Sequence, residues 1–356
     1  MKLRLPFLFL FSTLFILGVP NRIAANDTAA STALGGLRLA REPRISMEKE
    51  RLTISEKTVR VEYEFFNDTD QDIVTEVAFP IPEYRFEVDD VSRSFDDFQV
   101  WVEGKPYEYK TEVTGTVNHT DRSALLKKSG VDIASFGHYD WKKMGSPDVD
   151  RLSPEQRSEF VKLGLLDADD NFPQWSVKKT YHWTQKFPAK QLMHISHQYT
   201  PVIGFMPVGT GDLNAQIRKQ RTRAAIAAQK RDPKGLDHYY IWVGAQIERA
   251  CVDPSLYRRV DSEARLKNPG ADVSAEGTGY LEMLWVDYIL TTANSWKTPI
   301  KDFELVVERP KPDNDRHWYV SFCWDGQIEQ PSGDRFVAHL RNFVPKSELR
   351  IAFIGV

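Results

Sequence analysis

Cysteine is almost missing from this chain of 356 residues: Cys251 and Cys323 are the two it has. Neither lies near residue 25, so a lipid-anchored N terminus is disfavoured. Both sit in strand-like, aromatic or apolar settings that would not poise a thiolate. Long apolar runs are also scarce. After the N terminus no stretch approaches the roughly 20 residues a membrane-spanning helix needs. The reactive signatures are missing too: there is no G-x-S-x-G, no H-E-x-x-H, no phosphate loop and no dinucleotide fingerprint. No repeat of solenoid length occurs. The formal charge is only −3, which gives no general electrostatic claim on nucleic acid.

The N terminus is different. Lys2 and Arg4 precede an apolar core over residues 5–19, Pro20 and Asn21 break it, and Ala24-Ala25 offers small residues for cleavage. This is the pattern of a secretory signal peptide cut near Ala25. Its removal would take away Lys2, Arg4 and Arg22 and no acidic residue, moving the charge from −3 to −6. The expected location is periplasmic or secreted. In that compartment an even cysteine pair reads as a disulfide between Cys251 and Cys323, the alternative being two buried thiols.

Much of the chain alternates with period two. In residues 59–83, VRVEYEFFNDTDQDIVTEVAFPIPE, Val59, Val61, Tyr63 and Phe65 share one face. Asn67 to Asp70 supply turn chemistry, and alternation resumes from Ile73 to Ile81. Pro80 and Pro82 cannot donate to a ladder, so the strand ends at an edge or leaves the sheet there. Hairpin patterns recur around Glu103-Gly104 and through residues 176–201. The run 284–290 is apolar on both faces, as in the middle of a sandwich. Helix is expected only in excursions: residues 121–129, closed by Gly130; the capping box Ser153-Pro154-Glu155-Gln156, ended by Gly164; and residues 212–230. The fold class expected is mainly β, with two antiparallel β-sandwich-like parts and short helical excursions. The expected division is 1–25 signal peptide, 26–118 N-terminal sandwich, 119–174 helical or irregular connector, and 175–356 C-terminal β-rich domain with a helical excursion near 212–231.

Several stretches resemble one bacterial family, that of domain of unknown function 4424. They are the mature start with Gly35-Gly36-Leu37, Ile45, Met47 and Glu50; residues 59–83; WSVKKTYHWTQKFPA; HQYTPVIG; and YILTTANSWKTPIKDFELVVERP. Cys251 in ERACVD and Cys323 in SFCWDG stand where that family's cysteines are expected. The resemblance implies an exported bacterial protein and no reaction. Residues 214–234 match none of these blocks. Residues 59–105 also resemble, more loosely, the domain that precedes the metal-binding domain of inter-alpha-trypsin inhibitor heavy chains, which implies fold only.

Each candidate site has a bland reading beside it. Asp90-Val91-Ser92-Arg93-Ser94 spells a cation-binding D-x-S-x-S, but strand-like flanks replace the strand and helix it needs. His194 and His197 are three apart; on a strand they face opposite ways and share no metal. Asp167 to Asn171 opens like a calcium loop, yet Phe172 and Lys178 stand where Gly and Glu are required. Asp313-Asn314-Asp315 reads as a turn, and Asp89-Asp90 and Asp96-Asp97 say nothing about a facing carboxylate pair. Most of Trp175, Trp183, Trp296, Trp318 and Trp324 are expected in the core. No metal and no cofactor are expected. Arg218, Lys219, Arg221, Arg223, Lys230 and Arg231 form a basic helical surface that would suit anionic lipid or an acidic partner, although its apolar stripe is too thin for strong insertion. The function expected is a non-catalytic envelope or binding module whose partner is an envelope component or polymer, not nucleic acid. A hydrolase of cell-wall or extracellular polymer, and a membrane-surface or assembly factor using the basic helix, are the alternatives.

Overall fold

The computed structural model describes residues 28–33, 36–85, 97–134, 149–168, 172–231, 238–267, 280–312 and 316–356. The signal-peptide segment, the D-x-S-x-S string and Asp313 to Asp315 lie outside them. The protein is mainly β, and its described residues form three sheets. Sheet I has seven strands, with Ser176–Phe187 at its centre between Lys110–Val117 and Ile73–Pro80. Sheet II has eight, running from Glu329–Ser332 through Arg335–Phe343, Ile300–Glu308, Ile45–Ile54, Val59–Asn67 and Leu192–Tyr199 to a short hairpin, Gln99–Val102 with Lys105–Pro106. Sheet III has four, in the order Ile203–Gly209, Tyr280–Tyr288, Leu349–Gly355 and Trp318–Phe322.

Period-two alternation explains how the sheets meet. Val59, Val61, Tyr63 and Phe65 are buried, whereas Arg60 is exposed. They face the inward row of sheet I through aromatic contacts: Phe65 lies edge-on to Phe187, and Phe98 stacks on Tyr181 with centroids 4.0 Å apart. Sheet III joins the same core with Val286, Tyr288, Leu349, Ile351 and Phe353. Its other row, Met283, Trp285, Ala352 and Ile354, meets a helical layer that includes Val243, Ile247, Leu256 and Val260. The strand containing residues 284–288 is therefore covered on both faces, as its composition requires.

Two local features differ from the sequence reading. The stretch over 59–83 is not a hairpin: Val59–Asn67 belongs to sheet II and Ile73–Pro80 to sheet I, so the NDTD turn crosses the sandwich. The Phe187-Pro188 turn crosses back beside it, and fully buried Asn67 joins the two. Its Nδ2 donates to the Gln71 and Phe187 carbonyls, both at 2.9 Å, and its Oδ1 accepts from the Thr69 amide and hydroxyl. Its backbone bonds Gln191 and Lys190. Asn67→Ala removes four side-chain bonds and takes the Nδ2 donor from the buried Phe187 carbonyl, which should cost about 2–3 kcal/mol. Urea denaturation checks this; a loss under ~1 kcal/mol would mean that water replaces the amide.

The second difference is in the helices. Besides the expected Ser123–Lys128, Pro154–Lys162 and Ala215–Gln229, the chain forms His238–Glu248 and Pro254–Lys267. Asp253 caps the latter through the Ser255 and Leu256 amides, and its buried stripe is Leu256, Val260 and Ala264. The boundary expected between residues 118 and 175 is crossed by both large sheets. Ser176–Phe187 and Leu192–Tyr199 complete ladders begun by N-terminal strands, and Ile300–Glu308 pairs in parallel with Ile45–Ile54.

Candidate functional site

Two core strands end at prolines and open a gap. Ile73–Pro80 leads out through Ile81 and Pro82, and Leu192–Tyr199 through Thr200 and Pro201. Proline offers no amide, so it cannot donate to a ladder. The departing segments line a cleft of about 360 Å³, within the usual range for small-molecule sites. Asp97 fixes one wall, accepting from the Thr200 amide at 3.0 Å and its hydroxyl at 2.5 Å. Sheet III supplies Gly204, Trp285, Asp287 and Arg350, and Arg249 follows the end of helix His238–Glu248.

Cross-strand register assembles the polar part. Asp287 lies directly opposite Arg350, which donates through Nε at 2.7 Å and Nη2 at 2.6 Å to its two oxygens. The remaining Arg350 fork reaches Gln246 Oε1. The Arg350 side chain is 4% exposed, and its guanidinium lies 4.9 Å from the Trp285 ring centroid. Trp285 lies opposite Gly204, where a Cβ would come within 1.9 Å of the indole; glycine is what lets the ring lie against the strand. Arg249 is 53% exposed and shares Asp287 at 3.3 Å. Burial, with the nearby charge of Arg350, lowers the Arg249 pKa from its ordinary value against the pull of Asp287. Glu83, a second carboxylate lining the cleft, is held by Lys178 at 3.5 Å and the Thr116 hydroxyl at 3.3 Å.

The residues singled out in the sequence lie elsewhere. Cys251 and Cys323 form a disulfide joining the turn between helices His238–Glu248 and Pro254–Lys267 to the end of Trp318–Phe322, the edge strand of sheet III. His194 is exposed and His197 is fully buried among the rings of Tyr63, Phe79 and Phe98, on opposite faces of one strand. Asp167 closes a turn through its amide to the Phe172 carbonyl at 2.9 Å. Trp175, Trp183, Trp296 and Trp318 are buried and Trp324 half-buried. Among the described residues no three His, Cys, Asp or Glu side chains gather as a metal site, and no helix is long and apolar enough to cross a membrane.

The basic helix needs a correction. Lys219, Arg223, Lys230 and Arg231 are exposed, but Arg218 is buried, donating to the carbonyls of Asp212 and Leu213. Arg221 turns in to pair with buried Asp212 at 2.5 Å. The carbonyls ending the short helix Thr210–Leu213 need donors, and the two arginines meet that need together with Asp212's charge.

Two other places compete with the cleft. A concavity of about 390 Å³ beside Cys323 is walled by Trp324, Leu340 and Phe343, but its Glu348 is spent on the Leu290 amide and the Thr291 hydroxyl. Glu263, His317 and Tyr319 meet on the open outer face of helix Pro254–Lys267. Glu263 Oε2 lies 2.6 Å from the Tyr319 hydroxyl and 2.9 Å from His317 Nδ1, and His317 Nε2 faces Arg309 at 3.3 Å. Burial, then the bond to Glu263, pushes Tyr319 up to about 12. Burial opposes ionisation of Glu263, but its bonds from Tyr319 and His317 prevail and hold it below the ordinary carboxylate value. Both imidazole nitrogens are engaged, so this cluster reads as a brace between helix and strand.

These features define a class: a mainly β, disulfide-linked protein whose described residues form three sheets, with a cleft in which Arg350 meets an indole. The chain belongs to the family of domain of unknown function DUF4424, whose model matches residues 25–352. Among solved structures, a candidate nutrient-binding protein from Legionella pneumophila subsp. pneumophila strain Philadelphia 1 is similar at 13% identity, with 93% of this chain and 70% of that one covered and a TM-score of 0.41; likeness at that level carries no inference. No curated protein matches the chain.

Sequence reasoning did not find Arg249, Trp285, Asp287 or Arg350 as a group. A signal was present: LRIAFIGV is an apolar strand interrupted by one arginine, and LEMLWVDYIL is one interrupted by a glutamate and an aspartate, and charges so placed require partners.

Proposed function

We propose that this chain is an exported, non-catalytic binding module that takes a small ligand in the cleft between the Ile81–Arg85 segment, the Thr200–Phe205 segment and sheet III. One observation carries the reading. Both carboxylates that line the cleft among the described residues are already held, Asp287 by Arg350 and Arg249 and Glu83 by Lys178. A general acid or nucleophile must be free to meet its substrate, whereas a binding site needs fixed polar groups on an apolar surround. The leader composition supports export, and the Cys251–Cys323 bond suits an oxidising compartment.

The test begins with the mature chain recovered from the periplasmic fraction, with an N terminus expected near Asn26. Thermal unfolding is followed against neutral, cationic and anionic small molecules, with Val202→Trp filling the cleft. At least one class should stabilise the native chain, and the filled variant should lose that response. Failure of every class to bind overturns the proposal. So does chemical conversion of a bound compound that Asp287→Asn abolishes, which would establish the hydrolase reading instead.

A further inference from the structure

Among the described residues, the charges around the cleft do not balance locally. Arg85, Arg249 and Arg350 line it against Glu83 and Asp287. Glu83 is compensated from outside by Lys178, so its charge is not available to the three arginines. Asp287 has both oxygens committed to Arg350, and Arg249 shares one of them through a single bond at 3.3 Å. Arg85 donates to Gln174, through the backbone carbonyl at 3.1 Å and the side-chain oxygen at 2.9 Å, and both of these acceptors are neutral. A cationic excess is therefore left beside Trp285, in a chain whose overall charge is negative. Around it the lining is apolar: Ile81, Pro82, Pro201, Val202 and Phe205.

From this juxtaposition of an underpartnered guanidinium with proline, aliphatic and aromatic walls, we infer that the ligand is a small organic oxyanion, its carboxylate or phosphate head on Arg249 and its apolar body against the walls. The planar fork of arginine matches such heads with two parallel hydrogen bonds. The pre-existing Arg350–Asp287 pair is the support on which this rests: Arg350 is buried and binds both Asp287 oxygens, so the head group meets Arg249 and not a free carboxylate. Partial burial of Arg249 strengthens its attraction for an anion relative to a surface arginine. The 360 Å³ of the cleft fits a body the size of one aromatic ring or a short alkyl chain.

The inference depends on the cleft being the binding site, and the experiment separates the two. Benzoate, phenyl phosphate, inorganic phosphate and benzyl alcohol are titrated calorimetrically into the mature native chain, Arg249→Gln and Arg249→Lys. The expected result is that benzoate or phenyl phosphate binds at least tenfold more tightly than benzyl alcohol. Arg249→Gln should lose that tenfold and leave benzyl alcohol unchanged, while Arg249→Lys recovers part of it. The better of the two organic anions identifies the head group. Equal binding of the alcohol and the anions, with no effect of Arg249→Gln, overturns the oxyanion while leaving the binding module standing. Inorganic phosphate binding as well as phenyl phosphate overturns the organic body. No binding of any probe, charged or neutral, overturns the assignment together with the cleft. Because Arg249 is half-exposed, both variants should fold, and the native unfolding temperature verifies this before titration.

Discussion

Replacing Cys251 and Cys323 by serine is expected to cost about 4 kcal/mol of stability while leaving the folded structure in place. The bond closes a loop with a sequence separation of 72, and the chain-entropy relation for a loop of that length gives about 4 kcal/mol through the unfolded state. Little is lost from the native state, because the Ser321 hydroxyl still donates to the Ala250 carbonyl at 2.8 Å across the same junction. For a chain of this size the shift in melting temperature should be roughly 6 °C. Both cysteines are exposed, so a thiol reductant should produce the same shift in the native protein without prior unfolding. Hydrogen exchange should localise the effect: helices His238–Glu248 and Pro254–Lys267, tied to sheet III by this bond, should open before the two large sheets. An unchanged melting temperature on reduction would show that the unfolded chain is already restricted there.

What was legible in the sequence followed from local rules. Alternation at Val59, Val61, Tyr63 and Phe65 specifies a strand with one buried face, and Ser153-Pro154 with Gln156 specifies a helix start, because both depend on neighbours within a few residues. The destination of a strand is not local. Val59–Asn67 and Ile73–Pro80 read alike as a hairpin or as a crossing between sheets, since inward residues alternate in either case. The choice is made by Asn67 bonding to Phe187 and Gln191, far along the chain. The parallel pairing of Ile300–Glu308 with Ile45–Ile54 is more distant still. Helix His238–Glu248, rich in aromatic and branched residues, has no strong intrinsic preference for its state; it is held by packing on Met206, Trp285 and Ile354. Pro254–Lys267 did carry a signal, an aspartate cap and a stripe at four-residue spacing. The basic helix went the other way: Arg218 and Arg221 read as surface charges because nothing local reveals the carbonyls and the buried Asp212 that draw them inward. The cleft was the least legible, since its charges come from four places along the chain, the Glu83–Arg85 stretch, Arg249, Asp287 and Arg350, and cross-strand register unites only the last two.

Asp287→Ala should destabilise the chain by about 3 kcal/mol, since removing one partner of a buried ion pair leaves the other charge uncompensated. Arg350 is 4% exposed, whereas Asp287 is 25% exposed; water can enter where the carboxylate was, which places the cost toward the low end of that principle's range. Gln246 and the Trp285 ring remain as partners but carry no charge. The cause can be isolated by adding Arg350→Met. If uncompensated charge is responsible, the double variant should recover roughly 2 kcal/mol, because an apolar side chain of similar volume restores packing without a charge to solvate. If the double variant is as unstable as the two single losses added, the cost lies in packing around Trp285 instead. The same variant bears on the ligand. With Asp287 gone, two guanidiniums face the cleft without their shared carboxylate, so benzoate should stabilise Asp287→Ala more than the native chain, by differential binding to the folded state. Urea midpoints with and without benzoate measure both effects. Stabilisation equal in the two proteins would mean that the anion does not feel the charge Asp287 compensates, and that it binds elsewhere.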